Sequence, residues 1–191
     1  MTGLVEKAHR LLAPRIAYLI GTRDHKGAPN VIPVSNVTSV STDPQQVALA
    51  IHKKWQTYEI LLNTEGFTLS VPLIEHLNGV WILGARYSGY PAVDPGEKLA
   101  AAGLSFDYGA SLHGPVLTDG IGWMQCVIIE RIDLGGDHGL IFGQVQRAWP
   151  NTVFLDSEGV PHTQTMPLMQ VTGNRFTTTT HLQQVPYYDQ D

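Results

Sequence analysis

The sequence has few cysteines and few charged side chains. Cys126 is the single cysteine among 191 residues, so no internal disulfide can form and a reducing cytoplasm is the expected location. Charged residues make up 15% of the chain, against about 25% in an average soluble domain, which indicates that part of the surface is covered by a partner. Because symmetric oligomers are common and their interfaces are depleted of charge, we expect a homodimer.

Several functional classes lack their signatures. Lys and Arg number 12 against 17 Asp and Glu, a formal net charge of −5, so the basic excess of a nucleic-acid-binding protein is missing. Apolar runs such as residues 47–51 are far shorter than the ~18 residues of a membrane span. We therefore expect no nucleic-acid partner, no membrane association and no signal peptide. The eight histidines never recur at close ligand spacing, and no metal site is predicted.

Short apolar runs separated by Gly and Pro are typical of a β-rich fold. Residues 15–22 and 28–41 flank the polar turn 23–27 and predict an opening hairpin. Its second strand should lie at an edge or carry a bulge, because Pro29 and Pro33 cannot donate to a ladder. Further strands are expected at residues 46–51, 66–71, 121–134 and 140–149, the last two forming a long hairpin.

Capping residues predict two helices. Thr57 is expected to cap a helix that stops at Gly66, and Asp94 with Pro95 predicts a helix closed by Gly103. Strands and helices do not alternate, so the predicted fold class is mainly β, an antiparallel β-barrel with short helices. We expect one domain over residues 1–191, with its core at about residues 10–150 and a C-terminal extension at 151–191.

The first cluster with functional potential follows the strand 46–51, where cationic residues precede the predicted helix. The N–H groups of a helix N-terminus attract a phosphate, and Lys53, Lys54 and Thr57 add charge and a hydroxyl. A solvated, positively charged turn is the alternative interpretation. The second cluster is the small polar stretch 30–38, whose exposed backbone could pair with a planar heterocycle. On composition alone, an ordinary half-exposed edge strand is the favoured interpretation of this stretch.

Taken together, the two clusters and their spacing resemble the flavin reductase-like family, whose fold is an FMN-binding split barrel of the antiparallel Greek-key type. The matching stretches are R-D-H-K-G-A-P-N-V-I-P-V-S (23–35), S-T-D-P (41–44), K-x-x-x-T-Y-E-I-L (53–61), N-T-E-G-F-T-L-S-V-P (63–72), E-K-L with the following G-L (97–104) and G-D-H-G-L-I-F-G-Q-V (136–145).

The resemblance implies a homodimeric flavoprotein with one FMN per subunit near the dimer interface. The cofactor-binding positions that it implies are Asn30, Val34, Ser35, Asn36 and Thr38 for the ring, His52, Lys53, Lys54, Thr57, Tyr58 and Lys98 for the phosphate end, and Ser88 in a glycine-bounded loop. On the substrate side it implies His138, Arg86 and Tyr87. Trp81 and Trp123 either stack near the flavin or pack in the core.

The function implied by the resemblance is an NAD(P)H-dependent flavin reductase that passes hydride or electrons through FMN, with NADH or NADPH as co-substrate. The alternative is a flavoredoxin-type electron-transfer protein that serves a redox partner protein and turns over no nicotinamide. A pyridoxamine-phosphate-oxidase-like enzyme is a third reading, which would need further basic residues for a substrate phosphate. Because the cofactor carries the chemistry, no residue is assigned as catalytic.

Overall fold

A computed structural model describes residues 5–84 and 94–179. The strands are β1 Arg15–Ile16, β2 Tyr18–Arg23, β3 Pro29–Val34, β4 Val37–Thr42, β5 Gln45–His52, β6 Gly66–Val71, β7 Phe106–Asp107, β8 Val116–Leu117, β9 Gly122–Ile132, β10 His138–Pro150, β11 Met169–Thr172 and β12 Arg175–Thr177. The helices are α1 Gln56–Asn63, α2 Leu77–Leu83 and α3 Pro95–Ala102, with 3-10 helices at Val5–Leu12 and Ile74–His76. Within these described ranges, no helix has the length and apolar character needed to cross a membrane.

Seven antiparallel strands form the main sheet in the order β3-β2-β6-β9-β10-β5-β4. Laid flat, strands at the two ends of this order would be about 29 Å apart. Yet β3 and β4 are joined by Ser35 and Asn36 alone, a connection that reaches about 10 Å. The sheet must therefore curl until its two edges approach each other, which confirms the predicted antiparallel barrel with short helices.

The opening hairpin is confirmed, because β2 pairs antiparallel with β3 from Tyr18↔Val34 to Arg23↔Pro29. β3 lies at one end of the strand order, so one side of this strand has no neighbouring strand. Its prolines, which have no N–H to donate, are tolerated there, as expected for an edge strand. Residues 28–41 were expected to form a single strand. Instead they divide at Ser35 and Asn36, since the chain passes there from one edge of the sheet to the other.

Two apolar cores lie on opposite sides of β2. Ile20 points into the barrel and packs with Phe67 and Leu69, whereas Leu19 points outward to the layer formed by α2 and α3. The polar face of β6 is also buried: the Thr68 hydroxyl donates to the carbonyl oxygen of Pro115 at 2.6 Å. The alternating apolar residues of β6 predict one buried face of the strand. The loop before β8 covers the opposite face.

The helix at residues 95–102 is confirmed with its caps. The Asp94 carboxylate accepts a hydrogen bond from the Glu97 N–H at 2.9 Å, and Gly103 ends the helix with a φ of 62°. The cap expected for the helix α1 was wrong. Trp55 occupies the N-cap position of α1 and its side chain makes no capping hydrogen bond, and the helix gives way to extended backbone at Thr64 rather than at Gly66. Thr57 does not cap α1 because its side chain is buried and its hydroxyl is bonded to Asn30.

A second, three-stranded sheet joins the two ends of the described chain in the order β1-β11-β12. Arg15 of β1 pairs with Gln170 of β11, and Gln170 pairs with Phe176 of β12. Leu168, just before β11, is fully buried in the outer core. Residues beyond 150 therefore contribute both to the packing and to the wall of the cavity described next.

Candidate functional site

A cavity of about 910 Å³ lies between β3, the start of α1, the helices α2 and α3, and the three-stranded sheet. Its volume falls within the range of small-molecule sites, about 300–1,000 Å³. The two ends of β3 mark its length: Asn30 and Val34 both line it, as do Ser35 and Asn36 just beyond the strand. Successive residues of a strand advance about 3.3 Å, so the wall from Asn30 to Ser35 is about 16 Å long.

The end of the cavity at Asn30 is built around a buried hydroxyl. Thr57 is 2% exposed in the first turn of α1, and its oxygen accepts a hydrogen bond from the Asn30 side-chain amide at 2.8 Å. The same amide donates to the Thr22 hydroxyl at 3.2 Å. Because Thr57 is engaged by Asn30 and Trp55 provides no capping bond, the first N–H groups of α1 receive no side-chain cap. Such N–H groups favour an anion.

Positive charge is concentrated in this cavity although the chain is acidic overall. Among the described residues, four Lys and Arg side chains line the cavity, and Asp137 is the single carboxylate side chain in the lining. The four are Arg10, Arg15, Lys54 and Lys98. In a chain with 17 acidic residues, this distribution makes the cavity suited to an anionic ligand.

Lys98 is the most buried of these cations. Its side chain on α3 is 8% exposed and meets no hydrogen-bond or ion-pair partner in the described ranges. Burial lowers the pKa of the Lys98 ammonium, because the charged form loses its hydration. A ligand phosphate would restore the lost stabilisation of the charge.

An aspartate and two histidines lie at the rim near β10. The Asp137 carboxylate and the Nδ1 of His138 are 2.7 Å apart, and this hydrogen bond, with the charge of His138, holds the pKa of Asp137 below its ordinary value. The carboxylate is therefore ionised and accepts, so Nδ1 donates and Nε2 is left for another partner. The His52 ring lies 5.2 Å from the His138 ring and stacks on Trp55 at 5.7 Å.

Most of the residues predicted for cofactor binding lie together in the cavity. The lining includes Asn30, Val34, Ser35, Asn36, Lys54, Thr57, Lys98 and His138. His52 lies behind the lining, against His138. Tyr58 packs its ring close to the Cα of Gly139. Arg86, Tyr87 and Ser88 lie outside the described residues.

Two predicted residues point elsewhere. Thr38 is exposed on β4, where its hydroxyl donates to the carbonyl oxygen of Ser39. The Lys53 ammonium forms an ion pair with Asp133 in the β9–β10 turn, which lowers the pKa of that carboxyl. Neither residue lines the cavity.

Sequence reasoning missed the contribution of the two chain ends. Arg10, Arg15, Gln170 and Phe176 all line the cavity, and they come from segments without a recognisable motif.

The two tryptophans weighed as flavin contacts lie at different places. Trp81 lines the cavity, whereas Trp123 stacks on Trp149 at 3.8 Å beside a second cavity of about 320 Å³.

Comparison with known proteins identifies the family. The family model described as "Flavin reductase like domain" matches residues 10–174. The chain belongs to this family. A relative, an uncharacterized protein of Pyrococcus abyssi, is 30% identical over 139 residues, which cover 73% of this chain and 76% of the relative.

Solved structures share the fold of this flavin reductase like protein. An FMN-binding protein from Thermus thermophilus with bound 1-cyclohex-2-enone has a TM-score of 0.77 at 20% identity, covering 97% of this chain and 95% of that one. The NADH:FAD oxidoreductase SgcE6 of Streptomyces globisporus C-1027, in complex with NAD and FAD fragments, has a TM-score of 0.66 at 18% identity, covering 97% and 94%. These likenesses confirm the FMN-binding split-barrel fold.

Proposed function

We propose that this protein binds FMN in the 910 Å³ cavity and acts as an NAD(P)H-dependent flavin reductase. The observation that carries the proposal is the gathering of four cationic side chains around a long cavity in an acidic chain, including the buried and unpartnered Lys98. A cofactor with one phosphate and a long planar ring fits a cavity that offers Lys54 and Lys98 to the phosphate and a strand edge to the ring. Family membership supports the flavin as that cofactor.

The phosphate would lie at the start of α1. There Lys54 is exposed at the cavity mouth, the first-turn N–H groups are uncapped, and Thr57 is buried within reach of Asn30. Lys98 adds a second cation from α3. Lys54 supplies a mobile charge, the backbone N–H groups are fixed donors, and Lys98 is a charge with little hydration. Together these groups favour a dianionic phosphate over a neutral alcohol.

The ring would lie along the end of β3. This strand pairs with β2 on one side alone, and the chain crosses to β4 at Ser35 and Asn36. Backbone groups on the free edge can therefore pair with the polar edge of a heterocycle. The buried Val34 side chain, which is 4% exposed, holds this backbone against the barrel core.

When bound, FMN supplies two-electron chemistry, taking hydride from a reduced nicotinamide and releasing electrons to an acceptor. The chain's own contribution is binding, orientation and electrostatics. At the rim, Asp137 keeps the His138 Nδ1 as a donor and leaves Nε2 for a bound ligand. In this proposal His138 contacts the ligand at the end of the cavity where its ring lies beside those of His52 and Trp55.

The proposal includes a homodimer in the cytoplasm. Apolar side chains on β4 and β9 are exposed in the single chain, with Val40 46%, Ile129 44% and Ile132 38% accessible. Burial of such side chains against a second copy would account for the low charge content of the sequence. Size-exclusion chromatography with light scattering tests this part, and a monomer at micromolar concentration would contradict it.

The experiment that tests the function is a steady-state assay on purified protein. NADH or NADPH is mixed with protein and added FMN, and nicotinamide oxidation is followed by absorbance. Rapid oxidation with either nucleotide supports a reductase. If the protein shows a flavin absorbance spectrum but oxidises neither nucleotide, it is an electron carrier of the flavoredoxin type. Absence of flavin binding would refute both.

A further inference from the structure

A row of three side chains crosses the three-stranded sheet and faces the cavity. Arg15 is directly opposite Gln170, and Gln170 is directly opposite Phe176. Directly opposed residues on neighbouring antiparallel strands project from the same face. All three line the cavity, so the sheet presents a cation, an amide and an aromatic ring side by side, over about 10 Å at the usual strand spacing.

Arg15 has an unmet requirement for an acceptor. Its Nε is buried, and its guanidinium forms no hydrogen bond or ion pair with any residue of the described ranges 5–84 and 94–179. An arginine stays charged at all physiological pH values, and a buried donor without a partner is costly. The position is therefore suited to an oxyanion brought by a ligand.

The other two members of the row are held in place. The Gln170 carbonyl oxygen accepts from the Ser35 hydroxyl at 2.9 Å, and its amide nitrogen donates to the Gly173 carbonyl oxygen at 3.0 Å. The Phe176 ring meets the Trp81 ring edge-to-face, with centroids 5.9 Å apart. Both rings line the cavity, so a flat aromatic wall stands two strands away from the Arg15 cation.

This row lies at the other end of the cavity from the proposed phosphate position. Thr57 is bonded to Asn30, whereas Gln170 is bonded to Ser35, and those two β3-side residues are about 16 Å apart along the chain. FMN has one phosphate, which the α1 end already accounts for. The free charge at Arg15 therefore calls for a second anionic group on a different ligand.

We propose that the Arg15–Gln170–Phe176 row binds a planar aromatic carboxylate. Arg15 receives the carboxylate, since its fork of donors matches two oxygens on one carbon. Phe176 and Trp81 receive the ring by edge-to-face or offset packing. The assignment of Arg15 to a second ligand, and the role of that ligand as the second substrate, rest on the proposed function, which places the flavin phosphate at α1.

Calorimetric titration with benzoate and with benzamide, its neutral counterpart, tests the proposal on the full chain. We expect wild-type protein to bind benzoate about tenfold or more tightly than benzamide. Arg15→Gln should remove this preference while leaving FMN affinity within about twofold, and Arg15→Lys should retain part of it. Phe176→Ala should weaken both probes. Arg147→Gln, on the exposed part of β10, is the matched control and should behave as wild type.

Two results would overturn the proposal, and a third would separate it from the proposed function. Equal binding of the two probes to wild-type protein overturns the proposal without any variant. If Arg15→Gln, shown to be folded by circular dichroism, loses FMN affinity and keeps its benzoate preference, Arg15 serves the flavin and the proposal is wrong. If wild-type protein selects benzoate but binds no FMN, the proposed function fails while the carboxylate site stands.

Discussion

Replacing Lys98 with methionine should change stability and ligand affinity in opposite directions. Lys98 is 8% exposed and its ammonium lacks a partner in the described ranges, and burial lowers the pKa of that ammonium. Removal of an unsatisfied buried polar group recovers about 1–3 kcal/mol, so Lys98→Met should raise the free energy of unfolding by that order. Loss of a charged hydrogen bond to phosphate costs about 1.5–3 kcal/mol, so the Kd for FMN should rise about 10- to 100-fold.

The pH dependence provides a further check with a definite sign. Because the folded-state pKa of Lys98 lies below the unfolded value, the unfolded chain binds more protons between the two, and stability rises with pH in that window. The benefit of Lys98→Met should therefore be largest at neutral pH and fade toward the unfolded pKa of about 10.4. Urea unfolding and FMN fluorescence titration measure the two effects, with exposed Lys26→Met as control. A less stable variant with unchanged FMN affinity would refute the reasoning.

Three further outcomes are expected. Gly114→Ala should lower the free energy of unfolding by about 1–3 kcal/mol, because its Cβ would overlap the Gly21 backbone, whereas Gly136→Ala, with open space around it, should be neutral; equal urea midpoints would contradict this packing. Cys126 should resist iodoacetamide at pH 8 until the protein unfolds, since burial raises the pKa of its thiol to about 12, and rapid labelling of native protein would be the opposite result. Asp137→Asn should lower the midpoint of thermal unfolding at neutral pH, because a carboxylate with a lowered pKa stabilises the fold above its ordinary value of 3.8 and loses that contribution as the pH falls through the lowered pKa. A difference in midpoint that does not shrink as the pH is lowered would contradict the His138 contact.

The barrel and one half of the site were predictable because local signals specify them. Proline positions indicated the edge strand β3, and the Asp94 cap with Gly103 fixed α3 almost to the residue. The run of cations before α1 indicated a candidate anion site at the start of this helix, although the predicted Thr57 cap was wrong. Thr57 has the composition of a cap, but its hydroxyl is bonded to Asn30, 27 residues earlier, and no local pattern reports such a contact.

The other half of the site depends on contacts between distant parts of the chain. β1 has two residues and β11 has four, too few for a periodic pattern, and they pair across more than 150 positions. Arg15 therefore reads as the polar start of an apolar run, and Phe176 as an isolated aromatic residue. Only the register Arg15↔Gln170↔Phe176 shows that they share one face.

The most direct measurement of the central claim is a paired equilibrium titration of the purified protein with FMN and with riboflavin, which lacks the phosphate. If the cationic end of the cavity holds the flavin phosphate, FMN should bind about tenfold or more tightly than riboflavin at low salt. Raising the salt concentration should narrow the difference. Equal affinity for the two flavins, or no binding of either, would contradict the assignment of this cavity.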